Sequence, residues 1–250
     1  MNGKTPRDVL LVILLCAAAG VLLSQGRFAQ AELPAVSAPV VLELYTSQSC
    51  SSCPPADKIL AQLAQQSNVI ALGCHVTYWD HLYWKDRFSQ EVCTDRQHDY
   101  AQSAGRSRVF TPELIINGRS SIVGSDQKRI SDVIESQQGQ IAPVKIVETA
   151  KGYTVQLPTV ATSGATISYV RFAAAEMQSM KSGENAGRSV HYTNPVRSIN
   201  VLTHDWRGDA KVIQLPLEKD ATGGFAILAH LGPRTTGPVL AAGQFIFSRR

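Results

Sequence analysis

From Val40 to about Gln138 the hydrophobic positions change period several times. "VVLELYT" reads as a strand. "ADKILAQLAQQ" places Ile59, Leu60, Leu63 and Ala64 at helical spacing. Pro54 and Pro55 suit its first turn, where a missing N–H costs nothing. "NVIALGCHV" is a continuous apolar strand, as expected where both faces of a sheet are covered. "SQEVCTDRQHDYAQSAG" predicts a helix capped by Ser89 and ended by Gly105. Asn117-Gly118 is a hairpin turn signal joining residues 114–116 to 120–123. Ser125 is expected to cap a last helix carrying Ile130, Val133 and Ile134. The order is βαβαββα. Short connections and right-handed crossovers allow few arrangements of it, one being a mixed sheet with helices on both faces.

Beyond Pro143 the helical period disappears. "VKIVET", "YTVQL", "TISYVRF", "VRSINVLT", "KVIQLPL", "GFAILAHL" and "VLAAGQFIF" are short β-type runs separated by Gly, Pro, Asn and Asp. This predicts an all-β, sandwich-like or barrel domain over residues 143–250, after a first domain over 38–138, with a linker near "QQGQIAP". "SGENAGRS" contains glycines but no helix pattern follows it, so it reads as a turn and not a phosphate loop.

The N-terminus belongs to neither domain. Lys4 and Arg7 precede an apolar run over residues 9–23, and Ala29-Gln30-Ala31 offers a small-residue cleavage site. Residues 1–31 therefore read as a secretory signal peptide. The run is short for a bilayer span of ~20 residues, and Leu14-Leu15 before Cys16 is not a lipoprotein context. The expected location is exported, periplasmic or secreted. Cleavage leaves about 219 residues and, by removing Lys4, Arg7, Arg27 and Asp8, lowers the net charge from +4 to +2. That is too little to argue for nucleic acid. No further apolar run is long enough for stable membrane insertion.

Four cysteines remain: Cys50, Cys53, Cys74 and Cys93. An even number in an exported chain suggests disulfides. Cys50-Ser51-Ser52-Cys53 lies between the first strand and the first helix. A thiolate at Cys50 would be favoured there by the helix dipole and free N–H groups, and Cys53 could resolve a mixed disulfide. Cys50 is expected to be the more exposed and more acidic thiol. The Ser51 and Ser52 hydroxyls are available to the sulfurs. Glu43 could accept the Cys53 proton or be an ordinary strand-edge carboxylate.

"ELYTSQSCSSCPPAD", "HVTYWDHLYWKD", "RQHDYA", "VFTPELIINGR", "VGSD" and "GENAGRSVHYTNPVR" resemble domain-of-unknown-function family 1223, exported bacterial proteins with a thioredoxin-like domain. The resemblance spans most of the chain after residue 31. It implies that Pro112 is a cis-proline beside the two sulfurs and that Thr111 offers its backbone to a substrate. Unlike thioredoxins, the chain has no Trp before Cys50, and Ser-Ser replaces Gly-Pro between the cysteines.

The segment "HVTYWDHLYWKD" follows the second strand, so it should share the rim of the sheet with Cys50. Tyr78, Trp79, Tyr83 and Trp84 would form a wall for a peptide or small thiol, with Asp80, His81, Lys85 and Asp86 around it. The alternative is that these aromatics only pack. The family more often carries aromatic residues where Cys74 and Cys93 stand here, a joint departure. A structural disulfide is the favoured reading of that pair, and two buried free thiols are the alternative.

Two functions remain open. One is a thiol–disulfide oxidoreductase acting on protein or small-molecule thiols and disulfides, with no cofactor. The other is a thioredoxin-fold protein binding a partner or Cu(I), the latter through Cys50, Cys53 and His75 or His81. Zinc lacks a second close ligand pair. His98 is expected on a helix surface, and His191, His204 and His230 as surface groups in the β half.

Overall fold

The computed structural model describes residues 38–80, 84–218 and 222–247. Residues 1–31, expected to be a signal peptide, and His81 and Tyr83 lie outside the described residues. The first half follows the βαβαββα order: β1 (Val40–Thr46), α1 (Pro54–Leu63), β2 (Val69–His75), α2 (Glu91–Ser103), β3 (Glu113–Ile116), β4 (Ser120–Val123) and α3 (Gln127–Ser136). The sheet order is β2-β1-β3-β4, with β1 parallel to β2 and the other neighbours antiparallel.

The alternation of β1 divides its side chains between two cores. Val40, Leu42 and Leu44 meet Ala56 and Leu60 of α1 and Ile130 of α3. Val41 and Tyr45 face the other way, towards Cys93 and Tyr100 of α2 and towards the second half of the chain. Every residue of β1 and β2 is buried, which explains their unbroken apolar runs.

Two helix starts differ from expectation. Gln90, not Ser89, precedes α2, because Ser89 turns its hydroxyl to Asp80 Oδ2 and to the carbonyl of Asp86. Asp126, not Ser125, caps α3 and accepts from the Arg129 N–H. The Asn117-Gly118 turn has both residues at positive φ, 53° and 65°. Asn117 also ties the sheet together: its Oδ1 accepts from the Val41 N–H, and its carbonyl accepts from the Val239 N–H.

The second half contains β5 (Ala142–Pro143), β6 (Lys145–Thr149), β7 (Gly152–Leu157), β8 (Ala165–Phe172), β9 (Glu176–Ser179), β10 (Ser189–Tyr192), β11 (Val196–Trp206), β12 (Lys211–Pro216), β13 (Gly224–Leu231) and β14 (Val239–Ile246). All seven expected β-runs are strands. The short β5, β9 and β10 are additions. One sheet runs β11-β8-β13-β14-β5 and another β12-β7-β6, while β9 and β10 pair only with each other. Tyr153 and Val155 of β7 share a core with Phe225 and Ile227 of β13. The other face of the five-stranded sheet brings Val170, Phe172, Ala226 and Leu228 against β1 and β2. The two halves thus share apolar packing, and the expected linker is not a free tether: Ile141 is buried in that shared core and β5 pairs with β14.

Candidate functional site

The chain leaving β1 makes two tight turns before α1. The Cys50 N–H donates to the Ser47 carbonyl and the Cys53 N–H to the Cys50 carbonyl. Pro54 and Pro55 then begin the helix with Cys53 as its N-terminal flanking residue. Cys50 and Cys53 are joined in a disulfide, and Ser52 Oγ lies 3.4 Å from Cys50 Sγ. The expected exposure of Cys50 is not found: the two cysteines are 1% and 0% exposed, while Ser51 and Ser52 are exposed. Trp84, Asp86 and, between β9 and β10, Glu184 and Asn185 bond to the residues of this turn.

In the first turn of α1, after the disulfide, lies a buried carboxylate that the expected site did not include. Asp57 follows Cys53 by one helical turn, on the buried side of α1. It accepts from Thr46 Oγ1 at 3.2 Å. Burial pushes its pKa up to about 7, against the opposing pull of His75 and the Thr46 hydroxyl. His75, at the carboxyl end of β2, is the β-sheet partner of Thr46. Its Nδ1 is 2.6 Å from Asp86 Oδ2. Asp86 also accepts from the N–H groups of Gln48 and Phe88. Burial opposes the charge on Asp86, but His75 and these donors more than offset it and hold its pKa below the usual value. Phe88 and Tyr192 enclose the His75 ring edge-on. The signal for Asp57 is a carboxylate on the same helical stripe as Cys53 and Leu60, where the pattern calls for an apolar residue.

Glu43 is buried on the opposite face of the sheet and serves another cluster, so neither earlier reading of it describes its contacts. β1 lies between β2 and β3, which rules out a strand-edge position. Its carboxylate pairs with Arg96 Nε at 2.6 Å and accepts from Tyr100 OH at 2.8 Å. Arg96 Nη2 donates to His230 Nε2 at 3.2 Å, and Arg96 Nη1 reaches the Thr235 carbonyl. His230 is therefore a buried group and not a surface one. Burial and the Arg96 charge hold its pKa well below the ordinary value. His98, His191 and His204 are exposed.

The aromatic segment bonds to the cysteine turn through Trp84 and to Thr111 through Trp79. Trp84 Nε1 donates to Gln48 Oε1, and the Trp84 carbonyl accepts from Ser49 Oγ. Trp79 Nε1 donates to Thr111 Oγ1 at 2.9 Å, and Tyr78 OH to Gln97 Oε1. The Thr111–Pro112 bond is cis, as expected. Pro112 approaches α1: a Cβ on Gly124 would meet Leu44 Cδ1, Ala56 Cβ and Pro112 Cβ at 2.8, 3.1 and 3.4 Å. Tyr78 and Trp79 also pack against the shared core, so packing accounts for part of their placement. Lys85 is exposed and Asp80 half-buried. Cys74 and Cys93 form the second disulfide, joining β2 to α2. Among the described residues no three His, Cys, Asp or Glu side chains converge in a metal-binding arrangement, and no helix is long and apolar enough to cross a membrane.

A family profile described as "Protein of unknown function (DUF1223)" matches residues 41–229. The chain belongs to that family. Its match takes in both cysteine pairs, Asp57, Pro112 and the β9–β10 hairpin. The structure is similar to the crystal structure of a protein from Agrobacterium tumefaciens, with 27% identity and a TM-score of 0.74 over 84% of this chain and 95% of that one. It is also similar in fold to HBP35 of Porphyromonas gingivalis, with 14% identity and a TM-score of 0.52 over 84% of this chain and 75% of that one. No curated protein sequence matches the chain.

Proposed function

We propose that this family member is an exported thiol–disulfide oxidoreductase, with a thioredoxin-like domain over residues 38–138 followed by a β-sandwich-like domain. The observation that carries this reading is the bonded Cys50–Cys53 pair at the start of α1 with the protonatable Asp57 buried one turn further on. Shifted carboxylates gather at catalytic sites, and this one follows the bonded cysteine pair on the same helix.

The reduced pair would act in two exchanges. The Cys50 thiolate attacks one sulfur of a substrate disulfide, forming a mixed disulfide and releasing the first substrate thiolate, which takes a proton from solvent. Asp57, as the carboxylate, then removes the proton of the Cys53 thiol. The Cys53 thiolate attacks Cys50 Sγ, restores the Cys50–Cys53 bond and expels the second substrate thiolate. The second substrate thiolate takes the proton that Asp57 removed from Cys53, the first having taken its own from solvent, so two electrons pass from the protein to the substrate, and an external dithiol re-reduces the protein. With a substrate dithiol the same steps run in reverse. Trp79 and Trp84, bonded to Thr111 and Gln48, flank the approach.

The test is equilibration of purified protein in glutathione buffers, followed by alkylation and peptide mass analysis. Cys50–Cys53 should titrate within the range of the buffers while Cys74–Cys93 stays oxidised, and Cys53→Ser should accumulate mixed disulfides at Cys50. A Cys50–Cys53 bond that resists every glutathione ratio, with a potential below roughly −300 mV, would refute the reading.

A further inference from the structure

The Cys50–Cys53 disulfide is closed off by a small element outside both large sheets. Strands β9 and β10 pair only with each other. Met180, Val190 and Tyr192 anchor the base of their hairpin, packing with Phe88 and with Trp84. Between Met180 and Val190 the chain folds on itself. The Gly187 N–H donates to the Met180 carbonyl, the Ala186 N–H to the Gly183 carbonyl and the Arg188 N–H to the Asn185 carbonyl, with Gly183 and Gly187 at φ 79° and 80°.

Asn185 is the one buried residue among positions 181–189, at 1% exposure. An isolated asparagine is costly to bury unless its amide is satisfied, and here it is satisfied by the cysteine turn. Its Nδ2 donates to the carbonyls of Gln48 and Cys50, each at 2.9 Å. Its Oδ1 accepts from Arg188 Nη1 at 3.0 Å. The neighbouring Glu184 is exposed, and its Oε2 accepts from the Ser51 N–H at 3.1 Å. Three bonds therefore plug a self-contained tip into the turn that carries the disulfide.

We propose that the 181–189 tip is a gate: Asn185 must leave the cysteine turn before an external thiol can reach either sulfur. This rests on the redox reading above only for its biological purpose. The physical claim concerns access alone. The anchors at Met180 and Val190 let the tip lift without breaking strand pairing in either large sheet. The exposed Glu184 bond, open to competition from water, is the weaker of the latches. Opening is thus a local event drawn from the low-stability end of the molecule.

The experiment measures the rate at which dithiothreitol reduces each disulfide in the intact oxidised protein, by acid quench, alkylation and peptide mass analysis. It is run on wild type, Asn185→Ala and Glu184→Gln. Losing two bonds to enclosed carbonyls is expected to speed Cys50–Cys53 reduction by ten-fold or more in Asn185→Ala, since about 1.4 kcal/mol is a factor of ten. Glu184→Gln should speed it by a few-fold. Cys74–Cys93 should be unaffected in both. A rate in Asn185→Ala within two-fold of wild type overturns the gate. So does a parallel acceleration of Cys74–Cys93, which would mean that the variant loosens the whole fold. The redox reading fails on a different readout, the glutathione equilibrium of wild type. A pair that glutathione never reduces, yet that dithiothreitol reduces faster in Asn185→Ala, would leave the gate standing and remove the enzyme.

Discussion

Asp57 holds a proton that the unfolded chain would release. Its pKa is raised from 3.8 to about 7, chiefly by burial. Between about pH 4 and pH 7 the folded protein therefore binds more protons than the unfolded one, and stability falls as pH rises through that window. At about 1.36 kcal/mol per pKa unit, the cost at pH 8 is roughly 4 kcal/mol. Asp57→Asn removes the charge and keeps an oxygen for the Thr46 hydroxyl. At pH 8 the variant should be more stable by about 2–4 kcal/mol, raising Tm by roughly 5–15 °C for a protein of this size. At pH 4, where the native carboxyl is already neutral, the two proteins should agree within about 1 kcal/mol. The assay is guanidinium unfolding followed by far-UV circular dichroism at pH 4, 6 and 8, with both disulfides intact. Equal or lower stability of the variant at pH 8, or a gain that does not change with pH, would refute the reasoning. If Asp57 also deprotonates Cys53, the variant should release substrate from its mixed disulfide about 100-fold more slowly at pH 8.

His230 works in the opposite direction: its folded pKa lies well below 6.5, so the stability it permits is present above pH 6.5 and lost as pH falls below that. His230→Gln should flatten the acid side of the stability profile measured by the same unfolding assay. Arg96→Met, which strands the Glu43 carboxylate in the core, should cost about 3–5 kcal/mol, and Glu43→Leu added to it should recover at least half of the loss in denaturant titrations. Replacing Cys74 and Cys93 by alanine opens a loop of sequence separation 19 and should cost about 2–4 kcal/mol, read as a lower midpoint in guanidinium. Reduction of Cys50–Cys53 should change tryptophan emission through Trp84 and Trp79. The change should vanish in the Trp79→Phe/Trp84→Phe protein and persist in Trp206→Phe, whose indole lies in the β-half core bonded to the Asp209 carbonyl.

What could be read along the chain, and what could not, divides by range of interaction. The helices and long strands were legible because each buries a face against neighbours, so its period records its surroundings. The cysteine turn was legible because its residue types are locally constrained, whereas the cis Thr111–Pro112 bond was expected only through the family resemblance. Glu43 was not. Its partners Arg96 and Tyr100 lie 53 and 57 positions away along the chain, and Arg96 is in turn bonded to His230 at a separation of 134; no local pattern announces a buried ion pair. Strands β9 and β10 were missed because, at four residues each, they lack the Asn-Gly turn signal that marks the equally short β3 and β4. Asp57 is the intermediate case: it breaks the apolar stripe of α1, a local signal, but its meaning depends on Thr46, His75 and Asp86 arriving from three other segments. The same separation explains the covered disulfide. The sequence near Cys50 describes a turn suited to an exposed thiolate, whereas Asn185 closes that turn from 135 positions further on. A helix N-terminus can lower the pKa of a thiol only if the thiol is reached and reduced. Under the proposed gate, access to the sulfurs would be set by a hairpin in the other half of the chain, whose Asn185 holds the Gln48 and Cys50 carbonyls.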